Sequence, residues 1–274
     1  MRLIDSHAHL QADAFAGDAP EVLAAARLAG VARMLVPGWD VPSSRASLAF
    51  AQGRPGLLGT AGAHPHVASQ IDTPAWQELV ALARDPVAAA IGETGLDYDR
   101  GFSPRDDQLA NLRRHIALAL ELGKPLILHC RSKPGERDAQ DDLLRLLVGG
   151  GVGSAASAAA FAGRPPAVLH SFSGPVDYGE RALELGCAVS FSGLVFRKGE
   201  EPSAQVARLV PADRLLIETD SPYLSPPGAP RRRNEPLWVA VTARWLAEQR
   251  GMPAEALGDQ LVANFDRIFG TPAG

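Results

Sequence analysis

Two cysteines in 274 residues, Cys130 and Cys187, are too few and too far apart for a disulfide framework, and neither has the C-x-x-C partner of a cysteine-rich metal site. Both are expected to be reduced thiols. No apolar run approaches the roughly 20 residues of a membrane-spanning helix. The first residues also lack the basic head, apolar stretch and cleavage site of a signal peptide, so no membrane contact and a cytoplasmic location are expected. A dominant charge is missing too: 27 basic residues against 31 acidic ones leave a net charge of -4. Nothing therefore draws the whole molecule to nucleic acid, and any phosphate binding has to come from a local cluster such as Arg231–Arg233. No obligate protein partner is evident. What remains is an ordinary globular composition, 46% hydrophobic and 21% charged, in a chain of the length that a single α/β barrel commonly takes.

Short β-type runs at 3–5, 33–36, 57–61, 87–91, 126–129, 167–170, 188–191 and 215–217 alternate with stretches of helical spacing at 19–29, 42–52, 74–84, 105–122, 138–148, 175–185 and 203–209; two more helices, 235–249 and 254–268, follow the last strand. Eight strand-then-helix units predict one domain, a TIM (β/α)8 barrel over 1–274. The alternation also fits an open doubly wound sheet. Residues 149–166, rich in Gly, Ala and Ser, read as a flexible surface insertion of low complexity. Following a helix and preceding a strand, it is expected at the non-catalytic end.

Barrel enzymes gather their chemistry at the C-terminal ends of the strands. Here those ends carry His7 and His9, then His64 and His66, then Glu93, His129, His170 and finally Asp220. Of the seven histidines only His115 lies elsewhere, inside a helical stretch. His7 and His9, two residues apart on an extended strand, share a face, and neutral imidazole is a common ligand for zinc-like cations. Four imidazoles (His7, His9, His129, His170) and two carboxylates exceed what one tetrahedral site needs, and a bridging carboxylate can share them between two ions. Glu93 is the natural bridge. No lysine stands at a strand end in position to be the carbamylated bridge of related chemistry. Two divalent cations (magnesium, manganese, zinc or similar) would polarise a phosphoryl or carbonyl oxygen and deliver hydroxide at neutral pH. Asp220 is the candidate both to ligate and to take a proton from the attacking water.

With these motifs in view, the chain resembles the TatD family of metal-dependent hydrolases in the amidohydrolase superfamily. The resemblance rests on Ile4 to Leu10, Gly62 to His66, Ile91 to Tyr98, Lys124 to Arg131, Leu169 to Gly174, Ile217 to Leu224, Arg233 to Pro236 and Asn264 to Gly270. It implies a TIM barrel and metal-dependent deoxyribonuclease activity, often removal of nucleotides from DNA 3′ ends. One metal would take His7, His9, Glu93 and Asp220, and the second Glu93, His129 and His170. His64 would contact phosphate or the leaving group instead of a metal. The chain departs from the family pattern in the extra residues 132–136 and in 149–166.

For substrate contacts, Arg131, Arg197 and Arg233 lie on expected catalytic-face loops, where guanidinium forks can grip phosphate. Tyr98, Phe102 and Tyr223 could stack on unpaired bases, which suits single-stranded or frayed 3′ ends. Core packing is an equal alternative for Tyr223. Glu218 reads either as support for the site or as a satisfied barrel-interior residue, and His66 as a loop-shaping one. The competing functions are hydrolysis of a small amide, ester or phosphate ester at the same two-metal site, and a non-catalytic metal-binding barrel.

Overall fold

Strand and helix alternate through residues 1–271, the part of the chain that the computed structural model describes. The order is β1 (Leu3–Asp5), α1 (Ala19–Leu28), β2 (Val31–Val36), α2 (Val41–Ala51), β3 (Leu57–Ala61), α3 (Thr73–Ala83), β4 (Ala88–Asp97), α4 (Arg105–Leu122), β5 (Leu126–Arg131), α5 (Asp138–Gly149), α6 (Ala155–Ala160), β6 (Ala167–Leu169), α7 (Val176–Glu184), β7 (Ala188–Phe191), α8 (Glu201–Leu209), β8 (Leu215–Ile217), α9 (Val239–Arg250) and α10 (Ala254–Phe269). Local chemistry starts the helices: Asp40 and Ser43 form a reciprocal capping box on α2, and Asp72 caps α3 through the Ala75 amide.

All eight strands are parallel and each pairs with its sequence neighbour. Hydrogen bonds from the Ser6 amide to Ile217 O, from Asp220 to His7 O and from His9 to Ser221 O draw the first and last strands together. The result is a TIM barrel, and the open-sheet alternative falls. The strands are apolar on both faces, as in Leu3, Ile4 and Leu215 to Ile217, because helices cover the outside while side chains fill the inside. Among the described residues, no helix is long and apolar enough to cross a membrane.

Two stretches differ from their sequence-based expectation. β4 runs on to Asp97, well past the expected end at 91. Its register against β5 breaks between Ile91 and Thr94, so that Gly92 and Glu93 face one residue on β5 and Glu93 is pushed out of the regular pleat. Gly92 and Gly95, both at positive φ, permit this: a Cβ on Gly95 would stand 1.9 Å from His129 O. The second stretch, 149–166, carries α6, capped by Ser154, with Val152 and Phe161 buried. Arg164 bonds the carbonyls of Phe161, Gly123 and Ile268 and ties the segment to the starting end of the barrel.

His115 clamps the β3 loop from inside α4. Its Nδ1–H donates to Asn111 O at 2.7 Å, its Nε2 accepts the Ala63 amide at 3.1 Å, and Asn111 donates to Ala63 O at 2.8 Å. Burial pushes the imidazole down to about 4 from an ordinary 6.5. Below pH 6.5 the unfolded chain takes up this proton first, so the contribution is whole above 6.5 and is lost as pH falls towards 4. At 1.36 kcal/mol per unit it amounts to about 3 kcal/mol. Urea midpoints measured from pH 7 to 4 are expected to fall less steeply in His115→Gln than in the wild type; parallel curves would contradict this.

Candidate metal and catalytic site

Imidazoles from four strand ends converge on Glu93. Its Oε1 lies 2.9 Å from His170 Nε2, 3.3 Å from His129 Nδ1 and 3.2 Å from His64 Nε2. Its Oε2 lies 3.2 Å from His7 Nε2 and 3.9 Å from His9 Nε2. Each oxygen thus faces a different set of nitrogens. Asp220 closes the second set, with Oδ1 at 3.4 Å from His9 Nε2 and 3.7 Å from His7 Nε2. The φ of Asp220, +56°, is a left-handed value that a non-glycine residue adopts only when its surroundings hold it there. Here the amide of Asp220 is held by His7 O and its carbonyl by the Tyr223 amide.

Three groups of potential ligand atoms lie within 4.8 Å of one another: His7, His9 and Glu93; His7, His170 and Asp220; and His64, Glu93 and His129. His7 and His9 nitrogens sit only 3.2 Å apart, both turned towards carboxylates. So dense a set of buried lone pairs suits a divalent cation, and the donors fit one by type and by spacing. His64 is the exception. Its Nδ1 accepts the His66 amide at 3.1 Å, which leaves the proton on Nε2, the nitrogen that faces Glu93. In that tautomer Nε2 is a hydrogen-bond donor directed at Glu93.

Carboxylates behind the site orient two of the imidazoles. Glu218 accepts from His170 Nδ1 at 3.1 Å and from the Ser171 amide, and Asp97 accepts from His129 Nε2 at 3.1 Å and His66 Nε2 at 2.9 Å. Such partners fix which ring nitrogen is free to coordinate. His7 and His9 have no such support, since their buried Nδ1 atoms lack a partner among the described residues. Burial alone would raise the Glu93 pKa, but the imidazoles of His170, His64 and His7 hold it well below the carboxylate range. Burial alone would likewise lower that of His170, but Glu93 and Glu218 outweigh it and raise it strongly. Burial lowers His64 to about 4, against the pull of Glu93. Glu218 is held at about 2, burial being outweighed by its hydrogen bond from His170.

Asp97 is the residue that sequence reasoning missed. It follows Glu93 by four positions on β4, and only the pairing of β4 with β5 brings it beneath His129. The candidate phosphate-binding arginines separate. Arg131 stays at the mouth, 3.9 Å from Asp97 and partly exposed. Arg197 is exposed on the loop after β7. Arg233 is taken up elsewhere, by Asp18 at 2.7 Å, Glu235 at 2.8 Å and Ala14 O, over the Phe15 ring. Tyr98 is also committed, its hydroxyl to Asp142 and its ring beneath Arg105. Phe102 is 67% exposed with its ring against His66, and Tyr223 is 60% exposed with its ring towards His9.

Residues 4–270 match the model of the family described as TatD related DNase. The chain belongs to the TatD family. It is 36% identical over 278 residues to a protein of Erwinia billingiae named 3'-5' ssDNA/RNA exonuclease TatD, covering 99% of this chain and 100% of that one. A protein of the same name from Klebsiella pneumoniae is 36% identical over 274 residues, covering 98% of each. The crystal structure of a TatD homologue from Escherichia coli k12 superposes with a TM-score of 0.84 at 27% identity, covering 99% of both chains. This TatD-family chain is a metal-dependent hydrolase that acts as a nuclease.

Proposed function

We propose that the chain removes nucleotides from the 3′ end of single-stranded DNA, and of RNA, with two divalent cations sharing Glu93. The observation that carries this reading is the division of the Glu93 carboxylate: Oε2 faces His7 and His9 beside Asp220, and Oε1 faces His129 and His170. When bound there, the cations supply Lewis acidity to a phosphoryl oxygen and lower the pKa of water. Asp220 takes the proton of the attacking water. Its contacts to the imidazoles run through Oδ1, and its side chain is more open to the mouth than that of Glu93 (14% against 5%). His64, kept neutral across the working range, donates from Nε2 to a phosphate oxygen. Arg131 adds positive charge at the mouth, 3.9 Å from Asp97, and exposed Arg197 meets the strand further out. Arg233, bound up with Asp18 and Glu235, is left out of this contact set.

The family names of the relatives support the polarity and the single-stranded substrate. Incubation of 5′-labelled and 3′-labelled single strands with magnesium, manganese or zinc tests substrate, direction and cation together. A ladder that shortens from the 3′ end is expected with the 5′ label, and release of a labelled mononucleotide with the 3′ label. Cleavage of a small phosphate or carboxylate ester with both strands left intact would overturn the proposal.

A further inference from the structure

Among the described residues, the exposed large apolar side chains include only two aromatic ones, Phe102 and Tyr223, and both stand at the catalytic mouth. Tyr223 does not stand alone. Trp39, half-buried on the loop after β2, packs its ring edge-on at 5.1 Å from the ring of His9, while the Tyr223 ring lies 6.0 Å from the same imidazole, also edge-on. Two large rings thus border one metal-ligand candidate, from β2 on one side and β8 on the other.

Their backbones are pinned while their rings are left free. The Trp39 amide donates to Ser43 Oγ at 2.8 Å, and its carbonyl accepts the His64 amide at 2.9 Å. The Tyr223 carbonyl accepts Asn234 Nδ2 at 2.8 Å, and its amide donates to Asp220 O at 2.8 Å. Tyr223 is 60% exposed and Trp39 is half-buried, so both side chains keep surface open to solvent. Rings carried on a fixed backbone at the edge of a site, with only two side-chain torsions to settle when they bind, are what a stacking platform requires.

We infer that Trp39 and Tyr223 form a nucleobase subsite beside His9 that receives an unpaired base next to the scissile phosphate. The inference rests on the nuclease reading above and adds to it a residue-level cause of preference for single strands: a base held in a duplex cannot leave its stack to reach these rings without an unpairing cost. Stacking is tolerant of base identity, so the subsite contributes affinity without sequence specificity.

The test uses two 5′-labelled single strands, identical except that the last two 3′ residues carry adenine in one and no base in the other. The wild type is expected to favour the base-bearing strand in kcat/KM by roughly 5- to 150-fold, the range that one base–aromatic stack produces. In Trp39→Ala that preference is expected to collapse towards unity, mainly through KM, while Trp39→Phe keeps most of it. A Trp39→Ala enzyme that slows on both strands by the same factor would make the ring structural only and overturn the inference, as would an unchanged preference. A wild type that cleaves both strands equally well would sink the subsite and spare the nuclease reading. A wild type that cleaves neither strand with any cation would overturn both.

Discussion

Glu93→Gln is expected to abolish hydrolysis of single-stranded DNA, a loss of at least about a thousandfold in kcat/KM, and to lower the content of bound divalent cation at the same time. The neutral amide is nearly isosteric, so the buried shape survives, but the negative charge that five imidazoles surround is gone. Of the two carboxylate oxygens, one becomes a neutral carbonyl oxygen, a weaker donor to a cation, and the other is replaced by an amide NH2, which cannot ligate. Both halves of the site are therefore affected by one substitution. Metal content by atomic emission after dialysis, read beside nuclease activity, checks the two effects separately. A variant that keeps full metal content and more than a tenth of the activity would contradict the sharing of Glu93 between two cations.

Asp220→Asn is expected to lower kcat by about 10²- to 10⁴-fold, the range for loss of a positioned general base, with a smaller change in KM. Asparagine can still fill the site and offer an oxygen, but it cannot accept a proton. The expected signature is therefore a kcat deficit that shrinks as pH rises and hydroxide itself becomes more available. Rates from pH 6 to 9 under saturating cation decide it; a deficit that stays entirely in KM would assign Asp220 to binding and not to proton transfer. His64 adds no charge change over this window, because burial holds it neutral down to about 4. It should not shape the profile.

Much of this was legible in one dimension. Seven of the eight strands lie within two residues of the apolar runs that announced them, because strands buried on both faces are largely apolar. The residues that converge on Glu93 were also visible, as histidines and acids crowded at strand ends. The extent of β4 was not. A Gly-Glu-Thr-Gly stretch reads as a turn, and only the close approach of the β5 backbone shows why glycines belong within that strand. Residues 149–166 read as flexible because their composition is weak in side-chain signals, yet Phe161 and Val152 bury against the barrel and Arg164 ties three separate carbonyls. Arg233 looked free because its partner Asp18 lies more than two hundred residues away in the chain.

By itself, then, the order of residues determined the barrel and the set of groups able to bind cations, since periodicity and donor type are local properties that survive in any one-dimensional reading. Which nitrogen each histidine presents, which carboxylate stands behind it, which arginine is spent in an ion pair, and that Trp39 and Tyr223 share the edge of His9 were decided only by the tertiary structure. The physical reason is that hydrogen-bond direction and charge pairing depend on distances between segments far apart in sequence, and barrel closure sets those distances.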